Sequence, residues 1–172
     1  MPRHLHLVGS EDNSHQPGED HAAGFIMIVD DRATARSLLL GLARSIERGI
    51  RVECFSEPKA ALGRATERTP DLIITDYNMP GMNGVEFVKR IRTAPNLADT
   101  PIVMVTVVED RGVRYQALEA GATDFLTRPI DPLECLTRCR NLLALRRSQK
   151  ALADRINQLE EQVLQVSSPT EN

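Results

Sequence analysis

The chain has 172 residues, enough for one ordinary domain with extra segments, and its 41% hydrophobic content suffices for a core. Aromatic residues are only 3% and tryptophan is absent, so aliphatic side chains must do most of the packing. A net charge of −3 excludes a strongly basic nucleic-acid binder, and no apolar run approaches the roughly 18 residues of a membrane span.

The first 23 residues are polar, broken by Pro17 and glycines, and read as a flexible tail. They hold all four histidines; His4 and His6 have the spacing of a strand-borne metal pair, but nothing nearby completes a site. They also lack the continuous apolar core of a secretory signal. From residue 25 the pattern alternates. FIMIV (25–29) is a short apolar strand, and residues 33–48 space Leu38, Leu39, Leu42, Ala43 and Ile46 as a helix does. RVECF (51–55) predicts a second strand and residues 57–66 a helix. DLIIT (71–75) is strand-like; residues 84–93 carry Val85, Phe87, Val88 and Ile91 at helical spacing. PIVMVTVV (101–108) is a fourth strand, residues 110–120 a helix stopped by Gly121, and TDFLT (123–127) a fifth strand. A last helix begins near Asp131. Apolar strands separated by amphipathic helices predict a doubly wound α/β domain with a parallel sheet covered on both faces. Three cysteines without framework spacing (Cys54, Cys135, Cys139) predict reduced thiols and a cytoplasmic chain.

Ligands of such folds bind beyond the carboxyl ends of the strands. Strand one ends at Asp30 and Asp31, strand three at Asp76, strand four at Thr106, and strand five at Arg128-Pro129. Two adjacent aspartates repel each other and resist burial. A hard divalent cation such as Mg²⁺ wants oxygen ligands and offsets that repulsion. Asp31 alone reads equally well as an N-cap for the following helix. No GxGxxG or Walker lysine points to a nucleotide fold.

In combination VDD, TDYNMPGMNG, VMVT and TRPI resemble the bacterial response-regulator receiver domain, over roughly residues 25–145. The resemblance implies a flavodoxin-like five-stranded sheet in the order 2-1-3-4-5. It implies that Asp76 accepts a phosphoryl group from a sensor histidine kinase or phosphotransfer protein. Asp30 and Asp31, with Asp76 and the backbone carbonyl of Asn78, are then the Mg²⁺ ligands. Thr106 is the switch hydroxyl, Phe125 the switch aromatic, and Pro129 follows a peptide bond that is often cis in the family. Such a domain is a phosphoacceptor and signalling switch rather than an enzyme in the usual sense. Arg128 stands where the family usually has Lys, a planar fork in place of a point charge, and Val107 where a smaller residue is frequent. A receiver that takes no phosphate and serves only as an interaction module is the alternative.

The last helix outruns the domain. Leu142, Gln149, Ile156 and Val163 fall at the a positions of a heptad repeat, and Leu145, Leu152, Leu159 and Val166 at the d positions. This predicts a receiver over 24–145, a coiled-coil extension over 146–166 that forms a parallel homodimer, and a short tail over 167–172. Packing of the same face on its own domain is the other reading. TRPIDPLECLTRCRNLLALRRSQKALADR resembles receivers joined to cyclic-di-GMP phosphodiesterase modules. The output is expected outside this chain, with no membrane contact and no direct contact with nucleic acid.

Overall fold

The computed structural model describes residues 24–107 and 111–167. Strands β1 (Phe25–Val29), β2 (Arg51–Phe55), β3 (Leu72–Asp76), β4 (Ile102–Val107) and β5 (Asp124–Arg128) form one sheet in the order β2-β1-β3-β4-β5. Every pairing is parallel. Helices α1 (Ala33–Ile46), α2 (Pro58–Glu67), α3 (Gly84–Thr93), α4 (Arg111–Glu119) and α5 (Pro132–Ser167) connect and cover the strands. The doubly wound topology implied by the resemblance is the one found.

Strand position explains strand composition. β1 and β3 lie inside the sheet and are buried at every residue, so both faces demand apolar side chains. β2 and β5 are edges, and their mixed sequences are exposed or half-buried at every position but Leu126. Successive residues feed opposite faces. Met27, Ile73 and Met104 join Ala61 and Ala65 of α2 and Phe87, Val88 and Ile91 of α3 in one core. Ile26, Ile28, Ile74, Val103 and Val105 join Leu39 and Ala43 of α1 and Cys135, Cys139 and Leu143 of α5 in the other. The thiols of Cys135 and Cys139 are thus packing groups, and all three cysteines are free.

Helix termini follow local chemistry. Asn83 caps α3 by accepting from the Glu86 amide at 2.9 Å, and Asp131 does the same for α5 from Glu134 at 2.7 Å. Asp31 does not cap α1; Arg32 holds that position and has no side-chain cap bond. α1 ends at Ile46, two residues short of the sequence expectation, and Gly49 turns the chain at φ +83°. A 3₁₀ turn at Pro95–Leu97 was not legible in the sequence.

α5 runs 36 residues. Cys135, Cys139 and Leu143 recur every four residues and lie buried against the sheet, with Leu142 partly buried beside them. Beyond Leu143 the helix leaves the core. Arg147 pairs with Glu47 and Lys150 with Asp71, fixing the departing segment to the amino-terminal edge of the sheet. Among the described residues no helix is long and apolar enough to cross a membrane. Residues 1–23, with every histidine, and residues 168–172 lie outside the described residues.

Candidate functional site

The carboxyl ends of β1, β3, β4 and β5 meet around a cavity of about 270 Å³. Asp30 is fully buried immediately after β1, and Asp76, the last residue of β3, is 3% exposed. Oxygens of Asp30, Asp31 and Asp76 all lie within 4.8 Å of one another. Burial of two of these charges, Asp30 and Asp76, beside the third would be prohibitive without cations. Arg128, the last residue of β5, supplies one. Its Nη2 donates to Asp30 Oδ2 at 2.7 Å and to Asp76 Oδ1 at 2.8 Å. The Arg128-Pro129 peptide bond is cis.

The Asp76 carboxylate is shaped by its neighbours. Its Oδ2 accepts from the Asn78 amide at 3.2 Å. Burial raises its pKa above the ordinary carboxylate range and the Asp30 charge adds to this; hydrogen bonding and charge from Arg128, with help from Arg32, oppose the rise. The loop that follows is set by two glycines with different reasons. Gly81 adopts φ +77°, open to glycine at no steric cost. Gly84 has ordinary backbone angles, but a Cβ there would lie 2.5 Å from the Asp76 carbonyl oxygen. Its hydrogen atom is what lets α3 begin against the end of β3, and its amide donates to the Tyr77 carbonyl at 2.8 Å.

Thr106 is buried on β4 at the cavity wall, and its hydroxyl makes a long 3.5 Å contact with the Val107 carbonyl. Val107 is 55% exposed at the rim. Phe125 lies half-buried one strand away, with the Arg114 guanidinium 4.7 Å over its ring. Asp30, Asp31, Asp76, Asn78, Thr106 and Arg128 therefore share one strand-end region, while Phe125 stands behind it.

Two arginines escaped sequence reasoning. Arg36 Nη1 donates to the carbonyls of Asp30 and Asp31 at 2.7 and 2.8 Å, fixing the backbone of the acidic pair. Arg32 Nη2 reaches Asp76 Oδ1 at 3.5 Å. The signal was present as DDRATAR, cations one residue and one helical turn after the pair. It is indistinguishable in one dimension from a solvated helix face.

The donor set fits a hard divalent cation. All three side chains offer carboxylate oxygens, and Asp31 Oδ1 is buried with no hydrogen-bond partner among the described residues. An acceptor left alone beside two other carboxylates is an unfavourable arrangement that a cation relieves.

The coiled-coil positions divide. Leu142 packs in part on the domain itself, whereas Leu145, Leu152, Ile156, Leu159 and Val163 are exposed and Gln149 interrupts them on the same side. The side chain of Val166 lies outside the described residues.

Comparison with known proteins agrees with this architecture. The family model of the response regulator receiver domain matches residues 26–140. The chain is 42% identical over 139 residues to the cyclic di-GMP phosphodiesterase response regulator RpfG of Xanthomonas campestris pv. campestris, covering 81% of this chain and 37% of that protein. It is 36% identical over 118 residues to the response regulator PleD of Caulobacter vibrioides, covering 68% of this chain and 25% of that one. The chain thus spans well under half the length of both relatives. Among solved structures, the chemotaxis protein CheY4 of Vibrio cholerae superposes with a TM-score of 0.64 at 30% identity, over 69% of this chain and 98% of that one. The receiver domain of the sensor histidine kinase PA1611 from Pseudomonas aeruginosa PAO1, solved with a magnesium ion in its active-site cleft, gives 0.64 at 25% identity, over 70% and 98%.

Proposed function

Because this chain belongs to the response regulator receiver domain family of two-component signalling, we propose that it is switched by a phosphoryl group accepted on Asp76. The donor is a sensor histidine kinase or phosphotransfer protein. One observation carries the reading: Asp30, Asp31 and Asp76 crowd within 4.8 Å at the strand ends, with an unpartnered oxygen on Asp31. Such a cluster makes sense as half of a site whose other half is a cation and a phosphoryl group.

Asp30, Asp31, Asp76 and the backbone carbonyl of Asn78 would hold Mg²⁺, which when bound neutralises charge on the entering phosphoryl group. Asp76 supplies the nucleophile. A bond forms between one of its oxygens and phosphorus, while the bond from phosphorus to the donor breaks and its electron pair leaves with the donor atom. Arg128 follows the charge, passing from the carboxylate to the phosphoryl oxygens; its fork suits such oxygens. Thr106, whose hydroxyl has only a long contact, turns toward the new acceptors. Phe125 then moves into the space that Thr106 leaves, and the packed interior favours one of two arrangements. The domain is a switch with a self-limiting covalent state, and not a turnover enzyme.

The receiver occupies residues 24–145, and the extension of α5 over 146–166 pairs with a second copy as a parallel coil. Phosphorylation biases that assembly and so controls an output. The test is incubation with a small phosphodonor and Mg²⁺, read by intact mass. A gain of one phosphoryl group, absent in Asp76→Asn, is the expected result. No gain in the parent chain, under conditions where a conventional receiver reacts, would leave a phosphate-independent interaction module.

A further inference from the structure

Asp76 Oδ1 faces two guanidinium groups, and they differ in depth. Arg128 Nη2 is 2.8 Å away on a side chain 18% exposed, held also by Asp30. Arg32 Nη2 is 3.5 Å away on a side chain 50% exposed. The root of Arg32 is fixed, because its amide donates to Asp30 Oδ1 at 2.9 Å and its residue is the N-cap of α1. Its tip is held loosely. The contact to Asp76 is at the limit of a hydrogen bond, Nε lies 3.7 Å from Asp30 Oδ1, and Nη1 makes no bond among the described residues. A rigid root with a weakly engaged, solvent-facing fork is suited to changing partners.

The cavity gives that fork a task. Of its lining residues Arg32 and Val107 are about half exposed, whereas Asp76 is buried and Arg128 mostly so. Three carboxylates repel an incoming phosphate, and Arg128, with the cation they would hold, offsets them deeper in the cavity. An anionic donor therefore meets Arg32 first.

We infer that Arg32 is a phosphodonor-binding residue: its guanidinium leaves Asp76 Oδ1 to bind the donor's phosphoryl oxygens and gives the site a preference for doubly charged donors. The inference rests on Asp76 being the acceptor. No bond is made or broken by Arg32; it exchanges one oxygen partner for another, and Asp76 is freed for attack as it does so. The rival is a purely structural Arg32 that starts α1 and balances Asp30.

Donor charge separates the two. At neutral pH acetyl phosphate is a dianion and phosphoramidate a monoanion. Rates of acylphosphate formation in Mg²⁺ are measured with both donors for the parent chain, Arg32→Gln and Arg32→Lys. A binding role predicts a fall of about tenfold with acetyl phosphate in Arg32→Gln, a fall of only about threefold or less with phosphoramidate, and substantial recovery in Arg32→Lys. The acetyl phosphate rate of the parent should also drop more steeply with salt than that of Arg32→Gln. Equal slowing with both donors, or slowing with neither, would overturn the inference while leaving Asp76 as acceptor. A folding defect slows both donors alike and counts against it, with Arg32→Lys as the check on that arm. A parent chain that accepts phosphate from neither donor would overturn the Asp76 reading itself.

Discussion

At the scale of single residues, the site is a cluster of charges that the fold tolerates at a cost. Asp76 shows this most directly, since burial and the Asp30 carboxylate hold its pKa above the ordinary value of 3.8. A raised folded-state pKa means that the folded chain holds the proton more tightly than the unfolded one. The resulting penalty is absent below 3.8, grows as pH rises through the folded-state value, and is constant above it. Asp76→Asn should therefore be more stable than the parent at pH 7, with the gap closing in acid, measured by urea unfolding in the absence of divalent cation. An unchanged gap across pH would mean that the Arg128 pairing cancels desolvation, and a gap that widens in acid would mean that it outweighs it. The strand-end cluster was legible only in combination: Asp30, Asp31, Asp76, Thr106 and Arg128 come in order at the ends of four strands of one alternating pattern. Arg32 and Arg36 were not legible, because 21 lysines and arginines are scattered along the chain and only tertiary contact tells these two apart. Gly84 was legible as a glycine and illegible as to cause, since a steric limit set by the Asp76 carbonyl has no one-dimensional trace.

At the scale of elements, hydrophobic periodicity located every strand and the five long helices to within a residue or two, because both faces of the sheet are covered and the pattern is strong. The 3₁₀ turn at Pro95–Leu97 left no such signal, being short and set by the proline and by what lies around it. α5 changes its environment midway. Its first turns bury Cys135, Cys139 and Leu143, and its later turns expose Leu152 at 63% and Ile156 at 48%. Apolar side chains at heptad spacing on an otherwise polar helix carry a cost that the proposed second copy would remove, at about 1.5–3 kcal/mol for each one buried. Leu152→Asp with Ile156→Asp should abolish a concentration-dependent dimer in sedimentation velocity while leaving the unfolding midpoint of the receiver unchanged, since neither residue belongs to its core. A dimer that survives would place the contact on the domain instead.

The whole molecule is two aliphatic cores separated by one sheet, and a single cation helps to join its parts. Arg92 at the end of α3 donates from Nε and Nη2 to the Gly121 carbonyl at 3.0 and 2.7 Å, and from Nη1 to Leu97 and Thr100 at 3.0 and 2.8 Å. It thereby ties α3 to the 3₁₀ turn, the entry to β4 and the end of α4. Arg92→Ala should cost about 2–3 kcal/mol in urea unfolding, the scale of a few charge-assisted bonds, yet still allow phosphorylation, because Arg92 stands away from the cavity. A loss under about 0.5 kcal/mol, the scale of an ordinary surface change, would show that water replaces the side chain at those carbonyls.

The ion pairs of Arg147 and Lys150 give the long helix a mechanical meaning. Asp71 holds Lys150 through one oxygen and the first amide of β1 through the other at 2.8 Å, so the helix is hinged on the strand that carries the acidic pair at its opposite end. Past that pivot about 17 residues extend as a lever of about 26 Å. A tilt of about 10° at the pivot sweeps the tip through about 4–5 Å, close to the rise of three residues along a helix. Under the proposed phosphoryl switch, an input too small to deform the sheet visibly would be magnified at the tip of the extension, with Asp71 as its fulcrum.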